Sequence, residues 1–230
     1  VNPLQFGPGE DYEAYPRTLE ADAALAGAAG VSIIFAPSVE EMYPDGDPLI
    51  RISSGELGTK FEGATRPCHF DGVLTVVNKF FNIIRPAAGN HPVNAYFGQK
   101  DAQQYILIQR MVHDFNHDVT MRPVAIVRDD NGLALSSRNS YLSDEERESA
   151  LVLSRTLAML RENSLNRGFH EIDLDGARER INSTPGVRLD YLELVDPMTF
   201  GEPTEESERV LALVAAFVGP TRLIDNMDLR

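Results

Sequence analysis

The sequence predicts an α/β fold, in which a domain with a parallel sheet is followed by a smaller α+β domain. In the first half, short apolar runs rich in β-branched residues alternate with amphipathic helical patterns, which is typical of parallel sheets covered by helices. In the last third, two helical patterns precede three neighbouring strand-like runs. We place the first domain at residues 1–126 and the second at residues 127–230.

Three helices are predicted in the first domain. An Ala- and Leu-rich stretch at residues 17–30 predicts a helix that Gly30 ends. "GVLTVVNKFFNIIRP" (72–86) predicts a helix ended by Pro86. "DAQQYILIQRMVHDFN" (101–116) predicts a third helix. The residues expected to face inward are Val73, Val76, Val77, Phe80 and Ile84 in the second helix, and Ile108, Met111, Val112 and Phe115 in the third.

Three strands are predicted in the first domain, one after each of these helices. "VSIIFAP" (31–37) is a short apolar run closed by Pro37, and it predicts a buried parallel strand. "NAYF" (94–97) and "VTMRPVAIV" (119–127) predict the other two strands. Asn2, near the start, is expected to end a strand that began earlier. The link "AAGNHPVN" (87–94) is expected to be a surface loop.

The second domain begins with a long predicted helix at residues 142–163. Ser143 and Glu146 have the spacing of a capping box, and acidic residues fill the first turn, where the helix dipole favours them. The apolar stripe of this helix is Ala150, Leu153, Leu157 and Leu160. A shorter helix is predicted at 173–184, followed by strands at 187–196, 209–219 and 221–227.

Charge and cysteine content exclude several function classes. The 230 residues carry a formal net charge of -14, which repels nucleic-acid phosphates and anionic membranes. A small anionic ligand remains compatible with this net charge where local hydrogen-bond donors override the negative field. Cys68 is the one cysteine, so no intrachain disulfide forms and a reducing cytoplasm fits. No apolar run approaches the roughly 20 residues that span a bilayer.

The stretch "YFGQKDAQQ" (96–104) is the first candidate for chemistry. A predicted strand ends, Gly98 turns the chain, and a helix begins near Asp101. Free N–H groups at a helix start favour phosphate, and Lys100 would add a cation. The alternative is that Asp101 caps the helix, Gln104 completes a capping box, and Lys100 is solvated. The stretch alone does not decide between the two.

The stretch "NGLALSSRN" (131–139) is the second candidate. Ser136, Ser137 and Arg138 offer hydroxyls, N–H groups and a planar guanidinium, which together suit phosphate oxygens. The alternative is an Asn-Gly turn followed by a serine cap. A catalytic serine is disfavoured because no G-x-S-x-G elbow surrounds the pair.

The remaining candidates are amides and histidines. Asn2 and Gln5 would face a substrate if they lie at the end of a strand; otherwise they are ordinary polar residues of a loop. His69 beside Cys68 does not make a zinc site, because one cysteine and scattered histidines give no ligand set at the usual spacing. His69 remains a candidate ligand contact from a loop. The pair at 113 and 117 is interpreted as surface histidines.

Taken together, these stretches resemble the pantothenate synthetase (pantoate–β-alanine ligase) family. The matching segments are "VNPLQFG", "DYEAYPRT", "EMYPDG", "EGATRPCHFDGVLTVVNKFFNIIRP", "YFGQKDAQQ", "LALSSRNSYLS" and "RLIDNM". Each is weak alone, but their order is right and they cover essentially the whole chain.

The resemblance implies a Rossmann-like nucleotidyltransferase domain followed by a lid domain, in a cytoplasmic homodimer that uses ATP and Mg²⁺. The Mg²⁺ would be bound through the ATP phosphates, with no protein metal site. By position, the implied ATP contacts are Gly98, Gln99, Lys100, Asp101, Val127, Leu135, Ser136, Ser137 and Arg138. The implied pantoate residues are Gln5 and Gln104, with Asn2 supporting that pocket. Lys100 and the Ser136–Arg138 stretch are expected to carry the catalysis.

The chain departs from the family pattern at its beginning. Val1 falls just after the place where the family's N-terminal strand and its His-x-x-His-type motif should end. We therefore expect the native protein to be longer at its N-terminus.

The implied reaction has two steps: pantoate attacks the α-phosphorus of ATP, and the amine of β-alanine then attacks the resulting pantoyl adenylate. Such an intermediate requires cations around phosphates and a dry site. Two alternatives remain open, namely a related nucleotidyltransferase with another acceptor and an inactive nucleotide-binding module.

Overall fold

The computed structural model describes residues 1–85 and 92–230, which belong to two compact units, Val1–Ala87 and Ala88–Arg230. The helix stop predicted at Pro86 and residues 87–91 of the predicted loop lie outside the described residues. Val93 and Asn94, the end of that predicted loop, already belong to a strand.

The first unit is helical in the part that the structure describes. Its elements are a 3-10 turn at Pro3–Gln5, α1 (Leu19–Ala28), α2 (Val39–Met42), a 3-10 turn at Glu56–Thr59, α3 (Glu62–Thr65) and α4 (His69–Ile84). The predictions of α1 and α4 are confirmed, and Gly30 follows α1 with a φ of 88°. Asn2 is the N-cap of the 3-10 turn, with an extended backbone, and Gln5 is the last residue of that turn. The strand expected to end at Asn2 stays a prediction.

Helix α4 provides the core of this unit and packs against the Pro3–Gln5 turn. Val73, Val76 and Val77 are buried as predicted, whereas Phe80 is half-buried and Ile84 is 51% exposed. Ile84 lies in the last turn, beyond the part of the helix that packs. At the other end, a Cβ on Gly72 would lie 2.1 Å from the carbonyl oxygen of Leu4. A glycine is therefore required for α4 to approach the Pro3–Gln5 turn so closely.

The predicted strand at residues 31–37 does not form. The segment has no strand partner among the described residues, and Ile33 is 84% exposed. An apolar run has strand propensity, but a strand exists only when a neighbour pairs with its backbone groups. The prediction of a buried strand here is wrong for that reason.

The second unit begins with a parallel pair of strands. Strand β1 (Val93–Gly98) pairs in parallel with β2 (Val119–Val124), and α5 (Ala102–Asp114) connects them. Ile108 and Met111 are buried in α5 as predicted, but Phe115 is 53% exposed because it lies one residue past the helix end. The order of strand, helix and parallel strand confirms the predicted α/β class.

The rest of the second unit is a three-stranded antiparallel sheet under two helices. Helices α6 (Asp144–Arg167) and α7 (Leu174–Asn182) pack on β3 (Val187–Val195), β4 (Leu211–Val218) and β5 (Thr221–Asp228). Strand β4 is central, and seven of its eight residues are buried. The capping box of Ser143 and Glu146 forms as predicted. All five elements confirm the sequence prediction, whereas the domain boundary at residue 126 stays a prediction.

Within the described residues, no helix is both long enough and apolar enough to cross a membrane.

Candidate active site

The turn after β1 lies at the carboxyl ends of two parallel strands. Gln99 donates its backbone N–H to the carbonyl oxygen of Val124, the last residue of β2, over 2.8 Å. Helix α5 begins three residues later at Ala102. Strand ends followed by a helix start are where open parallel sheets bind ligands. The structure thus brings Gly98, Gln99, Lys100 and Asp101 together in one turn of this kind.

Strand β5 holds this turn from one side. The amide Nδ2 of Asn226 donates to the carbonyl oxygens of Gln99 and Lys100 over 2.9 and 2.8 Å. In a trans peptide the N–H points opposite to the C=O, so the N–H groups of Lys100 and Asp101 point away from Asn226. Among residues 1–85 and 92–230 neither N–H has a protein acceptor. Two aligned donors at a helix start favour an anion.

Lys100 adds charge at the same place. Its Nζ lies 3.8 Å from the Asp101 carboxylate, and its side chain is 19% exposed. Asp101 occupies the N-cap position of α5, but its side chain makes no capping hydrogen bond. The capping role considered for Asp101 is therefore not seen, and its carboxylate contacts the lysine instead.

The loop at residues 127–135 is a tight hairpin. The N–H of Leu135 donates to the carbonyl oxygen of Val127 over 2.9 Å, and Asp129 Oδ1 accepts from the N–H groups of Asn131 and Leu133. Gly132 has a φ of 100°, as the predicted Asn-Gly turn requires. In the described part of the chain the Val127 N–H has no backbone acceptor of its own.

The double serine follows this hairpin directly. Ser136 caps a 3-10 turn, Ser137–Tyr141, and its Oγ accepts from the N–H of Arg138 over 3.3 Å. The predicted serine cap is therefore confirmed. Ser136 and Lys100 line the same small cavity, together with Asn139, Leu153 and Asp225. The structure thus brings the two candidate phosphate segments of this unit to one place.

An ion pair fixes the hairpin to β5. Arg128 Nη1 and Nη2 donate to the two carboxylate oxygens of Asp225 over 2.6 and 3.0 Å, and Nη1 also donates to the carbonyl oxygen of Gly132. The Asp225 side chain is 4% exposed. A two-pronged contact of this kind restrains orientation as well as distance.

In the first unit, Asn2 holds the side chain of Gln5. The Nδ2 of Asn2 donates to Gln5 Oε1 and to the carbonyl oxygen of Gly72, each over 3.1 Å. Tyr43 Oη donates to Asn2 Oδ1 over 2.7 Å. Both Asn2 donors are therefore used inside the protein. The oxygen of Gln5 accepts from Asn2, and within residues 1–85 and 92–230 no protein acceptor is seen for the Gln5 NH₂ group.

A charged network holds the backbone of the same glutamine. His69 Nδ1 donates to the carbonyl oxygen of Gln5 over 2.7 Å, and Arg66 Nη1 lies 3.1 Å from His69 Nε2. A carbonyl only accepts, so Nδ1 carries the proton and neutral Nε2 accepts from Arg66. Arg66 also contacts the carboxylate of Glu10 through Nε, over 2.9 Å, and through Nη2.

Burial and charge set the protonation states in this network. Burial lowers the pKa of His69, and the neighbouring Arg66 cation lowers it further, which keeps the imidazole neutral. Burial alone would raise the pKa of Glu10, but the hydrogen bond and charge of Arg66 outweigh it and the pKa is lowered. Burial, and then Asp47, raises the pKa of Tyr43 to about 12, so Tyr43 remains a hydrogen-bond donor.

Sequence reasoning missed several of these residues. It left His69 as a loop histidine and did not single out Arg66, Glu10 or the Asp225–Asn226 pair. The pair had a detectable signal, since two adjacent polar residues interrupt an apolar strand in "RLIDNM". His113 is an exposed surface histidine, and in the described part of the chain no three His, Cys, Asp or Glu residues cluster as metal ligands. Gln5 and Gln104 belong to different units, and their pairing stays a prediction.

The fold and this site define the class first: an α/β protein with a nucleotidyltransferase-like fold. Two crystal structures of pantothenate synthetase from Thermus thermophilus match with a TM-score of 0.90 and 45% identity, covering 99% of this chain and 80% of theirs. The pantoate-beta-alanine ligase from Francisella tularensis, complexed with beta-gamma ATP and beta-alanine, matches with a TM-score of 0.77 and 33% identity. That match covers 99% of this chain and 76% of the other.

The sequence comparisons define the family. The family model for pantoate-beta-alanine ligase matches residues 1–228. The pantothenate synthetases of Paenarthrobacter aurescens (strain TC1) and Corynebacterium glutamicum (strain R) are 51% identical over 240 residues and 52% identical over 236 residues. Each match covers 100% of this chain and 81% of the relative. The chain belongs to the pantoate-beta-alanine ligase family, and it is therefore a ligase of the class that forms an amide bond.

Proposed function

We propose that this protein joins pantoate to β-alanine in an ATP-dependent reaction that passes through pantoyl adenylate and releases AMP and pyrophosphate. The observation that carries the proposal is the Gly98–Asp101 turn. It presents two aligned N–H groups and a lysine at the carboxyl ends of parallel strands, in a chain of this ligase family. The Francisella relative, crystallised with an ATP analogue and β-alanine, adds support.

In the first step, a pantoate carboxylate oxygen attacks the α-phosphorus of ATP. A bond forms between that oxygen and phosphorus, the bond to the bridging oxygen breaks, and pyrophosphate leaves. Negative charge shifts onto the pyrophosphate that leaves. We therefore assign Lys100, Arg138 and the hydroxyl groups of the two serines, Ser136 and Ser137, to the phosphates of ATP. Gln99 and Gly98 form the turn, Asp101 is assigned to the ribose, and the Val127 backbone to adenine.

Pantoate is assigned to Gln5 and Gln104, with Asn2 as support. The Gln5 NH₂ group offers two donors to carboxylate or hydroxyl oxygens, because Asn2 already binds its oxygen. Asn2 orients Gln5 and does not itself contact the substrate, since both of its amide hydrogens are used.

In the second step, the β-alanine amine attacks the activated carbonyl. The C–N bond forms, the nitrogen loses a proton, and AMP leaves with the oxygen that was the carboxylate's. No covalent enzyme intermediate is required, so Ser136 and Ser137 bind phosphate and do not act as nucleophiles.

Mg²⁺ would enter with ATP, bound through its phosphates. The described residues do not fit a dedicated protein site, because they offer no cluster of three ligating side chains. We assign no step to the metal. The proposed setting is a homodimer in a reducing cytoplasm, which is compatible with the single cysteine.

The test is exchange of labelled pyrophosphate into ATP by the native protein. Exchange should require pantoate and not β-alanine, and adding β-alanine should convert ATP to AMP with formation of pantothenate. Exchange that depends on a different acid would replace the substrate assignment with that acid. ATP binding without any exchange would show an inactive nucleotide-binding module and end the proposal.

A further inference from the structure

We propose that Asp225 and Asn226, neighbours on β5, are positioning residues that hold the two phosphate-facing segments of the ATP site together. The inference rests on the proposed function. The two segments are the turn at 98–101 and the loop at 127–138. Neither β5 side chain is assigned a contact with ATP, so each acts through the segment it holds.

Asn226 fixes the direction of the turn. Its single NH₂ group binds two successive carbonyl oxygens, those of Gln99 and Lys100, across 127 and 126 residues of sequence. Those two bonds orient both peptide planes and therefore aim the N–H groups of Lys100 and Asp101 to the opposite side. Asn226 is itself 5% exposed, so water does not readily replace it.

Asp225 fixes the loop through Arg128. The pair is two-pronged, and Arg128 in turn binds the Gly132 carbonyl and bridges by backbone to Ala134. Asp225 Oδ1 also accepts from the N–H of Asn226 over 2.8 Å. Ser136 follows this hairpin directly, two residues after Ala134, so its position depends on the same anchor.

Adjacent residues place the two segments in register with each other. Consecutive Cα atoms are about 3.8 Å apart. Asn226, which holds the turn, and Asp225, which holds the loop, are therefore kept at a fixed separation by one peptide bond. The β-ladder does not need either side chain, since β5 pairs with β4 through its backbone at Asp225↔Val214 and Asn226↔Leu213. The side chains are thus available for positioning and are not required for strand pairing.

The test uses Asn226→Ala in the native protein, measured by pantoate-dependent exchange of pyrophosphate into ATP. Small misplacements of catalytic groups can cost on the order of a hundredfold in rate. We expect kcat to fall at least tenfold and the KM for ATP to rise, with the KM for pantoate unchanged. A purely structural role would lower the amount of folded enzyme without this split between the two substrates.

A double-mutant cycle decides whether Asn226 acts through the turn. Asn226 holds the backbone that carries the Lys100 side chain, so part of its effect should disappear with the lysine. In the Lys100→Ala background, Asn226→Ala should therefore slow exchange by a smaller factor, about threefold or less, through misdirection of the two N–H groups alone. A tenfold loss in both backgrounds would overturn the inference. If Asn226→Ala does not fold, Asn226→Ser enters the same cycle and is judged by the same comparison.

The matched control lies on the same strand. Asp225→Asn should slow exchange, whereas Asp228→Asn should not, because Asp228 contacts the exposed Arg209 side chain and the N–H of Arg230 at the end of the strand. Equal effects of the two substitutions would overturn the role of Asp225. If the wild-type protein shows no pantoate-dependent exchange, the proposed function fails; if it is active and Asn226→Ala is too, only the inference fails.

Discussion

Gln5, in the unit Val1–Ala87, is positioned by side chains, whereas the Gly98–Asp101 turn, in the unit Ala88–Arg230, is positioned through its backbone carbonyls. Asn2 binds the Gln5 amide oxygen and His69 binds the Gln5 carbonyl oxygen. Asn226, in contrast, binds the backbone carbonyls of Gln99 and Lys100, while the lysine ammonium group lies 3.8 Å from the Asp101 carboxylate.

This difference matches the two kinds of ligand that we assign to the regions. A small hydroxy acid is distinguished by the direction of hydrogen bonds, and a side chain fixed by its neighbours supplies direction. Phosphate oxygens are recognised by aligned N–H groups and by cationic side chains. The N–H groups require a fixed backbone, and the cation must be able to reach the phosphate. Substitutions in one region should therefore change the handling of one substrate and not of the other.

Lys100→Ala is expected to have the largest effect. Losing a charge-assisted contact to the developing charge costs on the order of 3 kcal/mol, or about a hundredfold in the rate of adenylate formation. Thermal unfolding should change little, because Lys100 lies in a turn and not in the core. Lys60→Ala, at an i,i+4 pair with Glu56, is the matched control and should keep full rate. A Lys100→Ala enzyme with near wild-type exchange would remove the phosphate assignment.

Tyr43→Phe tests the region around Gln5, which we assign to pantoate. The substitution removes the 2.7 Å hydrogen bond to Asn2 and preserves the shape of the ring. A hydrogen bond of this kind contributes about 1 kcal/mol, so the KM for pantoate should rise about fivefold while the KM for ATP stays constant. Tyr96→Phe, at a ring that is 69% exposed, serves as the control. A rise in the KM for ATP of the same size would contradict the separation of the two regions.

The pH dependence of stability gives the smallest effect. The pKa of His69 lies below its ordinary value of 6.5 in the folded protein, so below that pH the unfolded state binds more protons. The free energy of unfolding should therefore fall as the pH falls from about 7 to 5, by at most about 1.4 kcal/mol per pH unit from this site. Glu10, whose folded pKa lies below 4.5, adds a second loss at more acid pH.

His69→Asn tests this pH dependence, since an amide can replace the donor to the Gln5 carbonyl and does not titrate. Urea unfolding between pH 5 and 7 should give a flatter pH dependence for the variant than for the wild-type protein. Parallel pH profiles for the two proteins would show that His69 does not control the stability of this region.

The sequence by itself determined most of the local structure. The capping box of Ser143 and Glu146 starts α6, and the apolar patterns of residues 187–195, 211–218 and 221–228 become the three antiparallel strands. The Asn-Gly turn and the Ser136 cap formed where the local sequence predicted them. These features depend on residues within a few positions of one another, and such interactions can be read from spacing alone.

Tertiary structure decided which residues hold the site. Asn226 reaches the Gln99 carbonyl across 127 residues, Asp225 reaches Arg128 across 97, and Arg66 reaches Glu10 across 56. Tertiary structure also decided that residues 31–37 form no strand, because they find no paired neighbour among the described residues. The periodicity of a segment indicates whether it prefers to be a helix or a strand, but not which other segment it packs against. Contacts over such separations exist only after the elements have packed, which is why the sequence predicted the phosphate-facing segments but not the side chains that hold them.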